Sequence, residues 1–173
     1  MTATESVQRR LTADDPRLAP WRAFLEAHAR ISRRLDEELR AEHDLSLAEY
    51  EALMSIARSP GRRIRMRQLS DQVVLSKSGV TRLIDRLVAD GLVERSTCLT
   101  DARGAEAVLN EEGMTRLRAA SRTHLRGISE HFLEPLGGTD VVALESAMRA
   151  ISVSAGPGHG SCCPDDSSAT DRR

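Results

Sequence analysis

A short stretch of this 173-residue chain collects side chains that could bind a polyanion. They are cationic or hydrogen-bonding, they share one face of a predicted helix, and they are Lys77, Ser78, Thr81, Arg82 and Arg86. Arginine can donate two parallel hydrogen bonds to a guanine edge, and serine or threonine can bond to a base or to the backbone. We expect Ser78, Thr81 and Arg82 to approach DNA base edges and Lys77 and Arg86 to engage phosphates. The alternative is an ordinary solvent-facing helix.

The helix that must position these side chains is amphipathic. Its apolar residues recur at i, i+3, i+4, i+7 and i+8, the period of a helix with one buried stripe, and they are Val80, Leu83, Ile84, Leu87 and Val88. Ser76 stands where an N-cap hydroxyl accepts a hydrogen bond from the first turn, and Gly91 stands where a helix ends in a left-handed residue. The sequence therefore predicts a helix from about Ser76 to Asp90.

A shorter helical pattern precedes this helix and two strand patterns follow it. Apolar residues within positions 66–73 have helical spacing, and residues 74–75 make a tight connection. Residues 92–95 alternate as a strand does, and residues 105–109 can return antiparallel to them around a polar loop at 101–104. Two short helices joined by a tight turn place a recognition helix in the major groove of DNA. The pattern predicts a helix-turn-helix followed by a β-hairpin wing.

Four short motifs follow one another through this region. They are VTRLIDRL at residues 80–87, GLVER at 91–95, DxRG at 101–104 and NEEG at 110–113. Together they resemble the signature of the MarR family of winged-helix transcription regulators, and the resemblance extends from about Trp21 to Ile151. It implies a ligand-responsive repressor that covers promoter DNA. A small-molecule effector of unknown identity would change the spacing of the recognition helices.

The resemblance also assigns roles within the wing. Arg103 is similar to the family's wing-tip arginine, which enters the minor groove, where narrow A·T-rich segments concentrate negative potential. Asp101 is expected to orient Arg103 or a neighbouring arginine, because a carboxylate beside a phosphate is repelled. A plain hairpin turn over residues 101–104 is compatible with both roles.

Charge is segregated along the chain. The net charge is −1, but the segment from Arg58 to Arg103 has ten basic and five acidic residues, which leaves +5 there and −6 elsewhere. A basic centre in an acidic remainder is the electrostatic footprint of a DNA-binding protein. A solvated charged surface is the alternative, and it explains the number of charges more easily than their segregation.

Helical periodicity also covers both flanks of this unit. The predicted helices run from Pro20 to about Glu42, from Leu47 to Arg58 behind a capping box of Ser46 and Glu49, from Asn110 to Pro135, and from a cap at Thr139 onward. Ile64 is a candidate for a short strand that pairs with the wing. The first and the last two helices cannot bury their apolar stripes against the winged helix alone, so we expect a homodimer. The predicted fold is mainly α: a winged helix-turn-helix with a two-stranded β wing and a helical dimerisation lobe.

The same patterns predict the domain limits. They are a flexible arm over residues 1–19, a winged-helix domain over 20–152 with its DNA-binding lobe at about 46–109 and dimerisation helices at about 20–43 and 111–152, and a disordered tail over 153–173. No apolar run approaches the length of a membrane helix, and the N-terminus lacks the apolar segment of a secretory signal. We therefore expect a cytoplasmic protein with no membrane partner.

Chemistry outside the helix-turn-helix is sparse. Cys98 could be a redox switch if neighbouring arginines lower its pKa, but a small packing role is favoured. His159, Cys162 and Cys163 could share a metal ion, although adjacent cysteines in a Gly/Ser-rich tail favour disorder. The chain has no phosphate-binding glycine loop, nucleophile elbow or metalloprotease motif. We expect no enzymatic activity, no cofactor and no metal site.

Four larger side chains lie on or near the apolar stripes of the flanking helices, namely Trp21, His28, His124 and His131. They could line an effector pocket, but core packing is favoured for Trp21 and partial exposure for the histidines. The sequence as a whole predicts a homodimer that binds a pseudo-palindromic site in double-stranded DNA. The alternative is a winged-helix protein-interaction module without sequence-specific DNA binding.

Overall fold

The computed structural model describes residues 11–73, 76–98, 101–136 and 141–154, and for residues 77, 97–98 and 101–104 it describes the backbone. Within these residues the chain is mainly helical, with one small three-stranded sheet. The elements are α1 (Ala19–His43), α2 (Leu47–Arg58), β1 (Arg63–Arg65), α3 (Met66–Gln72), α4 (Lys77–Ala89), β2 (Val93–Cys98), β3 (Asp101–Leu109), α5 (Glu111–Ile128), α6 (Glu134–Leu136) and α7 (Val141–Ser154). A single turn of 3-10 helix, Pro16–Leu18, lies inside the predicted N-terminal arm.

Helix ends in the central region are determined by side-chain caps. Ser46 and Glu49 form the predicted capping box at the start of α2. The Ser76 hydroxyl accepts a hydrogen bond from the Gly79 N–H at 3.1 Å, which starts α4. Gly91 follows α4 with a φ of +72°, a conformation that glycine adopts without steric cost. The predicted limits of α2 and α4 are confirmed.

The junction between the wing and α5 is unusually close. Asn110 caps α5 by accepting from the Gly113 N–H at 2.9 Å, and its own amide donates to the Gly91 carbonyl at 2.8 Å. A methyl group added at Gly113 would overlap with the carbonyl oxygen of Leu92. Only glycine allows the first turn of α5 to lie this close to the backbone before β2.

The sheet has the order β1-β3-β2, and both pairings are antiparallel. Ile64 lies opposite Ala107, which confirms the predicted short strand. The predicted polar loop over residues 101–104 was wrong, because these residues belong to β3. Thr97 pairs with Ala105 and Cys98 pairs with Asp101, so residues 102–104 form an insertion within the strand. Bulged residues of this kind have the polar, glycine-containing composition of a loop.

The hydrophobic core lies between α2, α3, α4 and the sheet. Its fully buried side chains include Leu53, Ile56, Leu69, Ile84, Leu87, Leu92 and Val93. Val88 was expected in this core and is instead exposed. Each helical residue turns by about 100°, so Val88 lies about 80° from Val80 at the edge of the stripe.

The flanking helices α1 and α5 pack against each other beyond this core. Leu35, Leu39, Leu117 and Ala120 are buried between them or against the core. Arg126 of α5 forms an ion pair with Glu42 of α1. Towards the start of α1 the apolar side chains are exposed, and Trp21 is 56% exposed, so the core role favoured for Trp21 was wrong for the single chain. No residue of α7 is buried.

The last helical stretch differs from the single helix predicted up to Pro135. After α5 the chain continues through a turn of π-helix, Ser129–Leu133, and then α6. The final helix α7 extends through Ser154, so the first two residues of the predicted tail are helical. None of the described helices has the length and apolar character needed to span a membrane.

Candidate nucleic-acid interface

The exposed face of α4 carries three of the predicted DNA-contacting residues. Ser78, Thr81 and Arg82 are exposed, while Val80 and Leu83 of the same helix are buried. The Arg82 Nε–H donates to the Ser78 carbonyl at 3.3 Å, which keeps its side chain along the first turn of α4. Side chains with donors and acceptors therefore project from the capped N-terminal end of this helix.

Arg95 of β2 fixes the wing against α4. Its guanidinium forms an ion pair with Asp85 at 2.7 Å and also lies 3.5 Å from the Thr81 carbonyl oxygen. From the sequence, arginines near the wing were expected to influence Cys98 or to be oriented by Asp101, and the pairing of Arg95 with Asp85 was not predicted. Because Asp85 binds Arg95, the wing base and the recognition helix have a defined relative position.

Arg86 does not project freely from α4. Its Nε lies 2.8 Å from Oε1 of Glu49, a side chain of α2 that is only 9% exposed. The predicted phosphate-binding residue is thus held by a buried carboxylate. From the sequence, Glu49 was predicted only as part of the capping box. The spacing of residues in α2 does not indicate which residue of α4 lies beside Glu49.

Ion pairs also reduce the basic excess of the central segment. Arg62 pairs with Glu111 at 2.6 Å, and Arg63 pairs with Glu106 at 3.5 Å. These two glutamates and Glu49 lie outside the segment from Arg58 to Arg103, so counting all three lowers its excess from +5 to +2. The charge segregation read from the sequence is real, but folding weakens it.

The remaining predicted interface residues fall where only the backbone is described. Lys77 opens α4, and Asp101 and Arg103 lie in β3. Their side-chain roles, and the redox role considered for Cys98, stay predictions. The metal site considered at His159, Cys162 and Cys163 lies outside the described residues.

One group of side chains in the described part of the chain could hold a metal ion. Donor atoms of Glu38, Glu130 and His131 lie within 4.8 Å of one another. His131 Nε2 and Glu38 Oε1 are 2.6 Å apart, and Arg126 Nε is 3.9 Å from Glu130 Oε1. Because a guanidinium already lies beside these carboxylates, we describe the group as an ion-pair network between α1 and the π-helical turn.

His124 occupies a different environment from His131. Its ring packs against Tyr50 of α2 with a centroid distance of 4.4 Å, and burial lowers the pKa of His124. Its Nδ1 is buried and has no hydrogen-bond partner among the described residues. The Tyr50 hydroxyl lies 3.4 Å from Ser121 Oγ. The histidines considered for an effector pocket are thus not assembled into one site.

A surface cavity of about 470 Å³ lies between the end of α1 and the start of α5. Charged residues of both signs line it, including Arg40, Glu42, Asp44, Glu112 and Arg116. Arg116 crosses it to donate to the His43 carbonyl at 2.7 Å. With both signs of charge present, the lining does not select a cationic or an anionic ligand.

A helix-turn-helix of α3 and α4, a wing of β2 and β3, and flanking helices α1 and α5 define a winged helix-turn-helix protein. A family model described as "MarR family" matches residues 43–104. AbsC, a MarR family transcriptional regulator from Streptomyces coelicolor, is 31% identical, with a TM-score of 0.74 over 85% of this chain and 97% of AbsC. The chain belongs to the MarR family.

Two further solved structures contain DNA. Sco3205, a MarR family transcriptional regulator from Streptomyces coelicolor in complex with DNA, is 28% identical, with a TM-score of 0.75 over 88% of this chain and 94% of that one. A mutant of MarR from E. coli complexed with operator DNA is 25% identical, with a TM-score of 0.67 over 78% of this chain and 95% of that one. A comparison with curated proteins found no match.

Proposed function

We propose that this chain is a transcription regulator that binds duplex DNA sequence-specifically through α4 and the wing. The observation that carries the proposal is the exposed row of Ser78, Thr81 and Arg82 on a helix whose opposite face is fully buried. A helix presented in this way can enter the major groove and offer donors to base edges. The DNA complex of the similar protein Sco3205 supports the assignment.

The regulator acts as a homodimer on a pseudo-palindromic site. Exposed apolar residues on α1 and α7, among them Trp21, Phe24 and Ile151, are the surface that a second copy would cover. Two-fold symmetry then places the two recognition helices in successive major grooves, with half-sites about 10 base pairs apart.

Within each half-site the wing adds a minor-groove contact. Arg103 enters the minor groove beside the recognition helix, and Asp101 orients it or a neighbouring arginine. Lys77, at the first turn of α4, neutralises a phosphate. The role of Arg103 rests on the resemblance of the wing motif, and the roles of Asp101 and Lys77 rest on their side-chain charge. The backbone of Lys77 belongs to α4, and the backbones of Asp101 and Arg103 belong to β3.

Regulation is repression that a small-molecule effector relieves. Repression follows from covering promoter DNA, and the effector acts by changing the distance between the two recognition helices. The effector must bind one dimer geometry more tightly than the other, because a ligand with equal affinity for both shifts nothing.

A protein-interaction module is the second candidate function. The observation that favours it is the pairing of Arg62, Arg63 and Arg86 with glutamates, which leaves the central segment only weakly basic. A module of this kind would bind DNA weakly and without sequence preference.

Fluorescence anisotropy with labelled duplexes separates the two functions. The duplexes are the region upstream of the protein's own gene, a sequence that the protein selects from a random library, and a scrambled control, each at two salt concentrations. We expect tight binding to the selected duplex that weakens steeply as salt rises, because several phosphates are neutralised. Equal, weak binding to selected and scrambled duplexes would favour the interaction module.

Arg82→Ala tests the recognition face directly. Loss of a bidentate base contact costs about 1–3 kcal/mol, so we expect affinity for the selected duplex to fall about 5- to 150-fold while dimerisation and folding are unchanged. Arg103→Ala is expected to act similarly through the minor groove. Arg34→Ala is the matched control, since Arg34 is exposed on α1 and, among the described residues, its ion pair is with nearby Glu37. Wild-type affinity in Arg82→Ala would remove α4 from the proposed interface.

A further inference from the structure

The carboxylate of Glu49 is a buried charge that binds groups from two helices. Its Oε2 accepts from the Ser46 N–H at 2.8 Å and from the Ser46 hydroxyl at 2.7 Å, and its Oε1 lies 2.8 Å from Arg86 Nε. A buried carboxylate is stable only when such donors satisfy it. The helix end that carries Ser46 and Glu49 is also tied to α1, because the N–H of Leu47 donates to Asp36 of α1 at 2.8 Å.

Arg86 lies on the face of α4 that carries the proposed base contacts. Positions 78, 82 and 86 are four residues apart, so their side chains follow one row along the helix. Glu49 binds the inner Nε, while the Arg86 side chain as a whole remains 63% exposed. The guanidinium is therefore held at Nε, while the rest of the group is open to solvent.

We propose that Glu49 is a positioning residue for DNA binding. It holds the Arg86 guanidinium so that the outer nitrogens meet a DNA phosphate, and it fixes α4 against α2. This inference rests on the proposed DNA-binding function and extends it to a residue of α2. A guanidinium that is already ordered loses less side-chain freedom on binding than a mobile one, which increases affinity.

Glu49→Gln gives a test in which the sign of the effect is informative. Removing a carboxylate near DNA reduces repulsion, so simple electrostatics predicts tighter binding. Positioning predicts weaker binding, because a glutamine has one acceptor oxygen and cannot serve both Ser46 and Arg86. We expect affinity for the duplex selected by the wild-type protein to fall about 10-fold, measured by anisotropy over a salt series.

Two control variants separate positioning from other effects. Glu111→Gln removes a carboxylate that also pairs with an arginine, Arg62, but away from the row on α4, so affinity should stay equal or rise slightly. Ser46→Ala removes the capping hydroxyl and its bond to Glu49 Oε2 but keeps the bond from the Ser46 N–H and the pair with Arg86, so it should lower stability and cost less affinity than Glu49→Gln.

A double-mutant cycle tests whether Glu49 acts through Arg86. Arg86→Gln should lower affinity and reduce the slope of log affinity against log salt by about 0.9, the value for one phosphate. Adding Glu49→Gln to it should change affinity less than twofold, since the residue it positions is gone. If Glu49→Gln does not fold by circular dichroism, Arg86→Lys tests the same pair: a lysine keeps the charge without the forked geometry, and should retain the slope but lose affinity.

The inference is overturned if Glu49→Gln binds as tightly as the wild-type protein, if Ser46→Ala loses as much affinity, or if the two substitutions are additive. Wild-type affinity in Arg86→Lys also overturns it. Failure of the proposed function has a different signature: neither the wild-type protein nor Arg82→Ala would distinguish the selected duplex from the scrambled one.

Discussion

Helices with apolar stripes occur both in the winged-helix lobe and in the flanking helices, but only the winged-helix lobe buries its stripes fully. In the lobe formed by α2, α3, α4 and the sheet, Leu53 and Ile84 are completely buried. Towards the start of α1 and along α7 the apolar residues remain exposed: Trp21 is 56% exposed and Ile151 is 62% exposed. Helical periodicity therefore identifies which face is apolar, whereas the depth of burial depends on what lies opposite that face.

The difference shows which part of the chain buries its apolar residues without a second copy. The core of the winged-helix lobe is closed within one chain, because Leu39 of α1 and Leu117 and Ala120 of α5 are buried in it together with the residues of the lobe. On the flanking helices large apolar side chains such as Trp21, Phe24 and Ile151 are exposed, and Trp21 stacks on Phe24 with a centroid distance of 5.9 Å. Exposed apolar patches mark interaction sites. In the proposed dimer, the stability of the lobe and the stability of the association should respond to different substitutions.

The largest effect is expected in the closed core. Leu53→Ala removes a completely buried side chain and leaves a cavity, so the free energy of unfolding should fall by about 2–5 kcal/mol. Leu125→Ala is the matched control, because Leu125 of α5 is 63% exposed, and its cost to the folded chain should be below about 1 kcal/mol. Urea unfolding at one protein concentration measures both. Equal losses of unfolding free energy in the two variants would contradict the proposed difference between the two regions.

A smaller effect is expected for the open face. Ile151→Glu places a charge on the proposed dimer surface, and forfeiting the burial of one isoleucine costs about 1.5–3 kcal/mol, or roughly a 10- to 150-fold weaker association. Sedimentation velocity over a dilution series measures this dissociation. Glu145→Ala on the same helix is the control, since Glu145 is exposed and pairs with Arg149. A dimer unaffected by Ile151→Glu would place the interface elsewhere.

The smallest expected effect is on the pH dependence of stability, through His124 at the border of the two regions. Burial lowers the pKa of His124 from its ordinary value of 6.5, so above that pH the ring is neutral in both folded and unfolded chains. Below it the unfolded chain binds the proton more readily, and the free energy of unfolding should decrease as pH falls. His124→Phe, which keeps a ring beside Tyr50, should show a shallower decrease between pH 7.5 and 5.5 in urea unfolding.

Local signals in the sequence predicted the helix ends well. Ser46, Ser76 and Asn110 are caps because their side chains satisfy N–H groups only three residues away, and a partner at that distance is visible in the sequence. The four motifs likewise predicted the helix-turn-helix and the strands of the wing. The family and the fold could therefore be predicted before any coordinates were known.

Contacts between distant residues could not be predicted in this way. Glu49 and Arg86 lie on different helices, and their pairing depends on how α2 and α4 cross. The bulge at residues 102–104 has the composition of a loop, and the π-helical turn at Ser129–Leu133 has the composition of an ordinary helix. The side-chain roles of Lys77, Asp101 and Arg103 remain predictions, and Arg103→Ala tests the last of them.

The close contact between Gly113 and Leu92 couples the position of the wing to the orientation of α5. Because the start of the helix lies directly against the backbone before β2 and Asn110 donates to the Gly91 carbonyl, we expect the wing to follow a rotation of α5. The helix has 18 residues and is about 27 Å long, so a rotation of about 5° at its far end would displace the wing by about 2 Å. In a dimer both wings would move, and a small adjustment among the flanking helices would become a change in the distance spanned along the DNA.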